Sequence, residues 1–244
     1  MASDVEVAAA AARAAADVLV PLRGGSLSGP ELGDAGDAAA QSAIAAVLAA
    51  AVPGDVVFSE EAADDLRRLS AERVWIVDPL DGTREYGDPD RHDWAVHVAL
   101  WSAGELTAAA VALPALGELL VTDPAPELPR PTASVRIAVS RTRPPAVATA
   151  VASALGAELV PLGSAGYKTV AVVRGEVDAY VHAGGMYQWD SAAPVAVARA
   201  AGLTACRLDG SPLVYNGADP SLPDLLVCRP ELAEPILAAV RSAS

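Results

Sequence analysis

Residues 74 to 83 leave this stretch of chain few choices of structure. Val74 to Val77 form a short apolar run that reads as a strand, and it ends at Asp78-Pro79-Leu80-Asp81-Gly82-Thr83. Two carboxylates three residues apart are separated by a proline and followed by Gly-Thr, where a helix can begin. Hard divalent cations take carboxylate and carbonyl oxygens, and a glycine opening a helix lets backbone N–H groups close on a phosphate. The block reads as a metal site beside an anion site.

The 244 residues suffice for one large or two small domains, and 52% apolar residues supply a sizeable core. Aromatic residues are only 4%, so that core must be built mostly from Ala, Val and Leu, and the excess of alanine favours close-packed helices. A formal net charge of −14 and a pI near 4.5 argue against nucleic acid or an anionic membrane as the main partner. An anionic substrate stays compatible with that charge if bound cations held by carboxylates invert the local field. Cys206 and Cys228 show neither a metal-type spacing nor a disulfide framework; they read as small core residues of a cytoplasmic protein. Asp4 and Glu6 stand where a secretory leader would be basic, and Arg13 and Asp17 interrupt the alanine run, so neither export nor a membrane span is expected.

Along the chain, residues 3 to 20 read as an alanine-rich helix ended by Pro21, and a second helix is expected from about Asp37 to Val52. Val56 to Phe58 reads as a strand, Glu61 to Ser70 as a polar helix, and Ala95–Leu100, Thr107–Leu113 and Glu118–Thr122 as an antiparallel meander. The stretch DPAPELPRPT (123 to 132), with four prolines, is the expected boundary between subdomains 1–124 and 131–244. Beyond it, strands near 135–139, 159–162, 177–182, 203–208 and 225–228 alternate with helices near 145–155, 166–174, 191–201 and 231–243. That order suggests an α/β mixed sheet covered by helices.

Three segments in order, Ser59-Glu60-Glu61, the 78–83 block, and Trp189-Asp190-Ser191-Ala192-Ala193 with Gly202, resemble the motifs of the inositol monophosphatase superfamily. Arg84-Glu85-Tyr86, DWAVHVALW (93 to 101), YVHAGG (180 to 185) and SPLVYN (211 to 216) look most like its actinobacterial CysQ-type bisphosphate nucleotidases. The resemblance covers nearly the whole chain. It implies a layered αβαβα sandwich, Mg²⁺ as cofactor with two or three ions per site, inhibition by Li⁺, and a small phosphorylated substrate; homodimers are common in the superfamily.

The resemblance also implies roles. Glu60, Asp78, Asp81, Asp190 and the carbonyl of Leu80 would hold two ions about 4 Å apart, as in two-metal phosphoryl transfer. Asp37 and Thr83 would orient and activate the attacking water, with Glu60 assisting. Where the family carries a threonine three residues before that aspartate, this chain has Asp34. The N–H groups of Gly82 and Thr83 would cradle the phosphate, aided by a helix dipole. Ser164, Lys168, Tyr180 and His182 would bind the rest of the substrate, Lys168 reaching a second, exposed phosphate; His97 reads as structural. The implied reaction is removal of the 3′-phosphate of adenosine 3′,5′-bisphosphate to give AMP, with 3′-phosphoadenosine 5′-phosphosulfate as a further substrate. Inositol phosphate or fructose 1,6-bisphosphate hydrolysis on the same fold is the alternative, and a non-catalytic regulatory protein is the alternative of another class.

Overall fold

Alternation along a strand sends successive side chains to opposite faces, and strand β2 (Arg73–Asp81) buries both. Trp75 and Val77 enter a core with Leu19 and Ile44, while Val74 and Ile76 enter another with Val170, Val172 and Val195. The computed structural model describes residues 2–131 and 133–243. Met1, Thr132 and Ser244 lie outside the described residues, and with them the first residue of the expected subdomain 1–124, the last of 131–244 and the last residue of the proline-rich stretch.

The first sheet has the order β1-β2-β3-β4-β5, with β1 Val56–Ser59, β3 Ala95–Ser102, β4 Glu105–Leu113 and β5 Glu118–Val121. Strands β1 and β2 are parallel; the remaining pairs form the expected antiparallel meander. The second sheet, β7-β6-β8-β10-β9, uses β6 Arg136–Ser140, β7 Glu158–Leu162, β8 Ala179–Tyr187, β9 Thr204–Cys206 and β10 Ser221–Cys228. Helices α1 (Asp4–Arg23) and α2 (Gly29–Ala51) cover the outer face of the first sheet. Helices α5 (Ala165–Val173) and α6 (Ala192–Ala200) fill the space between the sheets, and α4 (Ala146–Leu155) and α7 (Pro230–Ala243) cover the far face of the second. The result is an αβαβα sandwich. Each sheet is covered on both faces, which is why its strands read as continuous apolar runs. We propose that 1–124 and 131–244 act as subdomains sharing the middle layer.

Local expectations fail where distant contacts override them. Glu61 to Ser70 is a turn followed by one turn of 3₁₀-helix, Leu66–Leu69, instead of a polar helix. Arg68 is drawn inside: its guanidinium pairs with Asp64 at 2.6 Å, donates to Asn216 Oδ1 and the Gly217 carbonyl, and stacks on Phe58. Those contacts with residues 148 and 149 positions away hold the segment in a shape a helix would not allow. Pro21 lies within the last turns of α1 rather than ending it. Arg23 continues the helix and donates to the Tyr86 and Arg91 carbonyls.

Helix α2 begins at Gly29, eight residues before the expected Asp37, with Pro30 in its first turn. Its glycines explain both the misreading and the packing. A side chain at Gly33 would meet Thr83 Cγ2 at 2.6 Å, and one at Gly36 would meet Tyr86 at 2.7 Å and Leu80 at 2.9 Å. The bare face of α2 therefore lies directly on the 78–86 turn and brings Asp37 to Thr83. Gly36→Ala should gain helix propensity but displace buried Tyr86, a net loss of about 1 to 2 kcal/mol. A urea midpoint at or above that of the parent chain would show that α2 can move away freely.

Candidate active site

Carboxylates converge where three segments end. Glu60 follows β1, Asp78 and Asp81 close β2, and Asp190 lies in the turn before α6, whose N-cap is Ser191. Glu60, Asp78 and Asp190 each place an oxygen within 4.8 Å of the others, and Asp78, Asp81 and His97 do the same. Asp78 belongs to both groups, is 1% exposed, and its Oδ2 has no hydrogen-bond partner among the described residues. Its other oxygen accepts from the Leu80 N–H, which bends the chain through Pro79.

Burial and mutual repulsion hold protons on this cluster. Asp78 is raised well above the usual carboxylate range by burial and then by Asp81, Glu60 and Asp190. Burial together with Asp81 pushes Asp190 up to about 8, and burial, Asp81, Glu61 and Asp37 push Glu60 up to about 7. A divalent cation would relieve that repulsion and give the orphaned Asp78 oxygen a partner. The donor set, carboxylate oxygens with a nearby carbonyl, fits a hard cation.

Asp81 has a second task. Its Oδ2 accepts from Ser164 Oγ and Gly166 N, both at 2.5 Å, and Oδ1 from Ala165 N at 3.3 Å, so it ties β2 to the start of α5. Gly166 makes this possible, because a Cβ there would stand 1.9 Å from His97 Nε2. Gly82 caps the following turn at φ +89°, with Ser164 and Trp94 too close for a side chain. Helix α3 is only Thr83–Tyr86, so the dipole expected to aid a phosphate cradle is that of one turn.

Thr83 lies near enough to the Asp37 carboxylate to favour its charged form. Asp37 is raised to about 7 by burial, Glu61 and Asp34, against the lowering effect of Thr83. The Thr83 hydroxyl donates to the Leu80 carbonyl at 3.2 Å.

A cavity of about 440 Å³ opens in front of this cluster, walled by Glu60, Gly82, Thr83, Ser164 and Lys168, with Arg84, Arg141 and Arg143 beyond. Lys168, expected to reach a second phosphate, lines the cavity but is largely enclosed. It is 5% exposed, and Nζ donates to the Gly163 and Ser164 carbonyls at 2.9 and 2.6 Å. Burial lowers its pKa to about 8 despite the surrounding carboxylates. Tyr180 and His182 do not line the cavity: Tyr180 is buried beneath Lys168 and its hydroxyl bonds His182 Nδ1 at 3.0 Å.

Sequence reading left His97 out of the site. Its Nδ1 lies 3.2 Å from the Trp189 carbonyl, so a proton there leaves Nε2 bare, 3.5 Å from Asp81 Oδ2. The β2–β3 register pairs it with Asp78, a relation no single segment displays. The three arginines were missed because each is unremarkable in its own stretch.

The inositol monophosphatase family model matches residues 3–244. The chain belongs to that family. A protein of Mycobacterium tuberculosis (strain CDC 1551 / Oshkosh) named 3′-phosphoadenosine 5′-phosphate phosphatase is 54% identical over 221 residues, 87% of this chain and 83% of its own. A protein of the same name from Mycobacterium leprae (strain TN) is 48% identical over 254 aligned positions, covering 98% and 94%. Among solved structures, CysQ from Bacteroides thetaiotaomicron superposes with a TM-score of 0.82 at 25% identity, over 93% of this chain and 97% of that one. The family's enzymes are metal-dependent phosphatases, and the carboxylate cluster suits that chemistry. No helix among the described residues is long and apolar enough to cross a membrane.

The raised carboxylates give a signed expectation. In the metal-free protein the folded state keeps protons that the unfolded chain has lost, so stability should fall as pH rises from about 4 to about 8. Mg²⁺ replaces those protons, so its stabilisation in thermal melts should be larger at pH 8 than at pH 5. A Mg²⁺-induced shift in melting temperature that does not change with pH would remove the cluster as the binding site.

Proposed function

We propose that this chain is a Mg²⁺-dependent, Li⁺-inhibited phosphomonoesterase that removes the 3′-phosphate of adenosine 3′,5′-bisphosphate, with 3′-phosphoadenosine 5′-phosphosulfate as a further substrate. The observation that carries the reading is the meeting of Glu60, Asp78, Asp81 and Asp190 near Asp37 and Thr83, at a cavity that Glu60 and Thr83 share with Arg84, Arg141 and Arg143. The names of the mycobacterial relatives point to the same substrate. We also propose a cytoplasmic setting and a role in clearing a by-product of sulfate assimilation; the free thiols of Cys206 and Cys228 suit reducing surroundings.

In this reading Glu60, Asp78, Asp81, Asp190 and the Leu80 carbonyl hold the cations. Bound there, the ions supply charge neutralisation of the phosphate and a lowered pKa for the attacking water. Asp37, raised to about 7, takes the proton of that water near neutral pH. Thr83, anchored by its hydroxyl to the Leu80 carbonyl, stands beside Asp37 and favours its charged form. Gly82 and Thr83 present the backbone face toward the phosphate, where only glycine tolerates the φ of +89° at residue 82.

Phosphate release from adenosine 3′,5′-bisphosphate, inositol 1-phosphate, fructose 1,6-bisphosphate and AMP, with and without Mg²⁺, tests the assignment. The bisphosphate nucleotide should give the highest kcat/KM, and only with metal. Preference for inositol 1-phosphate would replace the substrate while keeping the site.

Asp37→Asn and Thr83→Ala should each slow turnover by tenfold or more, and the double variant should be little slower than the worse single one, because groups acting as one unit are not additive. Losses that multiply would separate the two residues into independent roles.

A further inference from the structure

If the reading above holds, a second anionic group of the substrate must be recognised without being cleaved. Lys168, the only lysine in the chain, is poorly placed for it. Two of its three ammonium protons are committed to the Gly163 and Ser164 carbonyls, which steadies the loop whose Ser164 and Gly166 hold Asp81. It acts on the site through that loop. The cations left in the cavity are Arg84, Arg141 and Arg143.

The Arg84 and Arg143 guanidinium groups both lack a hydrogen-bond or ion-pair partner among the described residues, so position separates those two, and pairing sets Arg141 apart. Arg84 sits on the turn next to Thr83, beside the reacting end. Arg141 is tethered, its Nη2 donating to Glu85 at 2.8 Å. Arg143 has its backbone fixed by an N–H bond to Ser140 Oγ at 3.2 Å. Among the described residues its guanidinium makes no hydrogen bond and has no carboxylate within ion-pair distance. Arg143 lines the cavity together with Ser140, Arg141 and Thr142 at the end of β6.

We propose that Arg143 is the receptor for the phosphate that is not cleaved, and so the residue that distinguishes a bisphosphate nucleotide from a monophosphate. This assignment rests on the phosphomonoesterase reading and names the specificity determinant within it. A guanidinium with all five donors unspent can grip a phosphate through two parallel hydrogen bonds, a geometry the compact ammonium of lysine lacks. A cavity of about 440 Å³ is within the range of small-ligand sites and joins the carboxylate cluster to the 140–143 loop. In a chain of net charge −14, an unpaired arginine facing such a cavity meets an anion at little desolvation cost beyond that of the ligand.

The test compares adenosine 3′,5′-bisphosphate with adenosine 3′-monophosphate, which lacks only the uncleaved phosphate, in the parent enzyme, Arg143→Ala and Arg143→Lys. The ratio of the two kcat/KM values should fall ten- to a hundredfold in Arg143→Ala, chiefly through KM, and recover in part in Arg143→Lys. Melting temperatures should agree, since Arg143 has no partner to lose. Equal losses for both substrates, or no loss, would overturn the assignment, as would a parent enzyme that fails to prefer the bisphosphate.

Equilibrium binding of AMP, which carries the uncleaved phosphate alone, separates this proposal from the catalytic one. AMP should bind at least tenfold more weakly to Arg143→Ala. Arg143-dependent AMP binding in a protein that hydrolyses neither nucleotide would reject the enzymatic reading and keep the receptor. AMP binding indifferent to Arg143 would reject the receptor whatever the turnover.

Discussion

The grip of Asp81 on the start of α5 is the contact on which the remaining architecture depends. Asp81 ends the strand that begins in the first sheet, and Ser164, Ala165 and Gly166 open the helix that fills the space between the sheets. Beside that contact, Glu60, Asp78 and Asp190 bring their carboxylate oxygens within 4.8 Å of one another. The closeness leaves no room for a side chain at residue 166, so a small residue far along the chain decides whether the carboxylates meet. Stability and chemistry compete there, because the same approach that closes the core gathers charge that water can no longer screen.

How much of this is legible in the sequence depends on how local the cause is. Asp78 and Asp81 are legible because a strand end, a proline and Gly-Thr within ten residues have few structural solutions. The apolar runs of β3, β4 and β10 declare themselves in the same way. Asp37 is only half legible: its partner Thr83 can be inferred, yet the glycines at 33 and 36 look like loop residues until the helix is seen pressed against Tyr86 and Leu80. The segment 61–70 is misread because its shape is set by Arg68 reaching Asn216 across the fold. His97 enters the site through strand register, and Arg143 through what its neighbours leave unpaired; neither relation exists before the chain is folded.

Net charge is a poor guide to the field a substrate meets. The chain carries 31 acidic residues against 17 basic ones, and its cavity is nonetheless lined by three arginines and a lysine besides Glu60 and Glu85. A molecule with two phosphates can use both kinds of group, one end shielded by cations held on carboxylates and the other paired directly.

The enclosure of Lys168 has a chemical corollary. Every other basic side chain that is positively charged at neutral pH is an arginine, so apart from the chain terminus the molecule offers a single primary amine, and that amine lies under the Gly163–Ser164 loop with 5% of the residue exposed. Reagents that acylate amines, cross-linkers that bridge them and resins that couple through them should find almost nothing on the folded surface. Opening of the loop would uncover a nucleophile that nothing else in the chain can mimic, so covalent labelling at this one position would act as a clock for the local unfolding of the site itself.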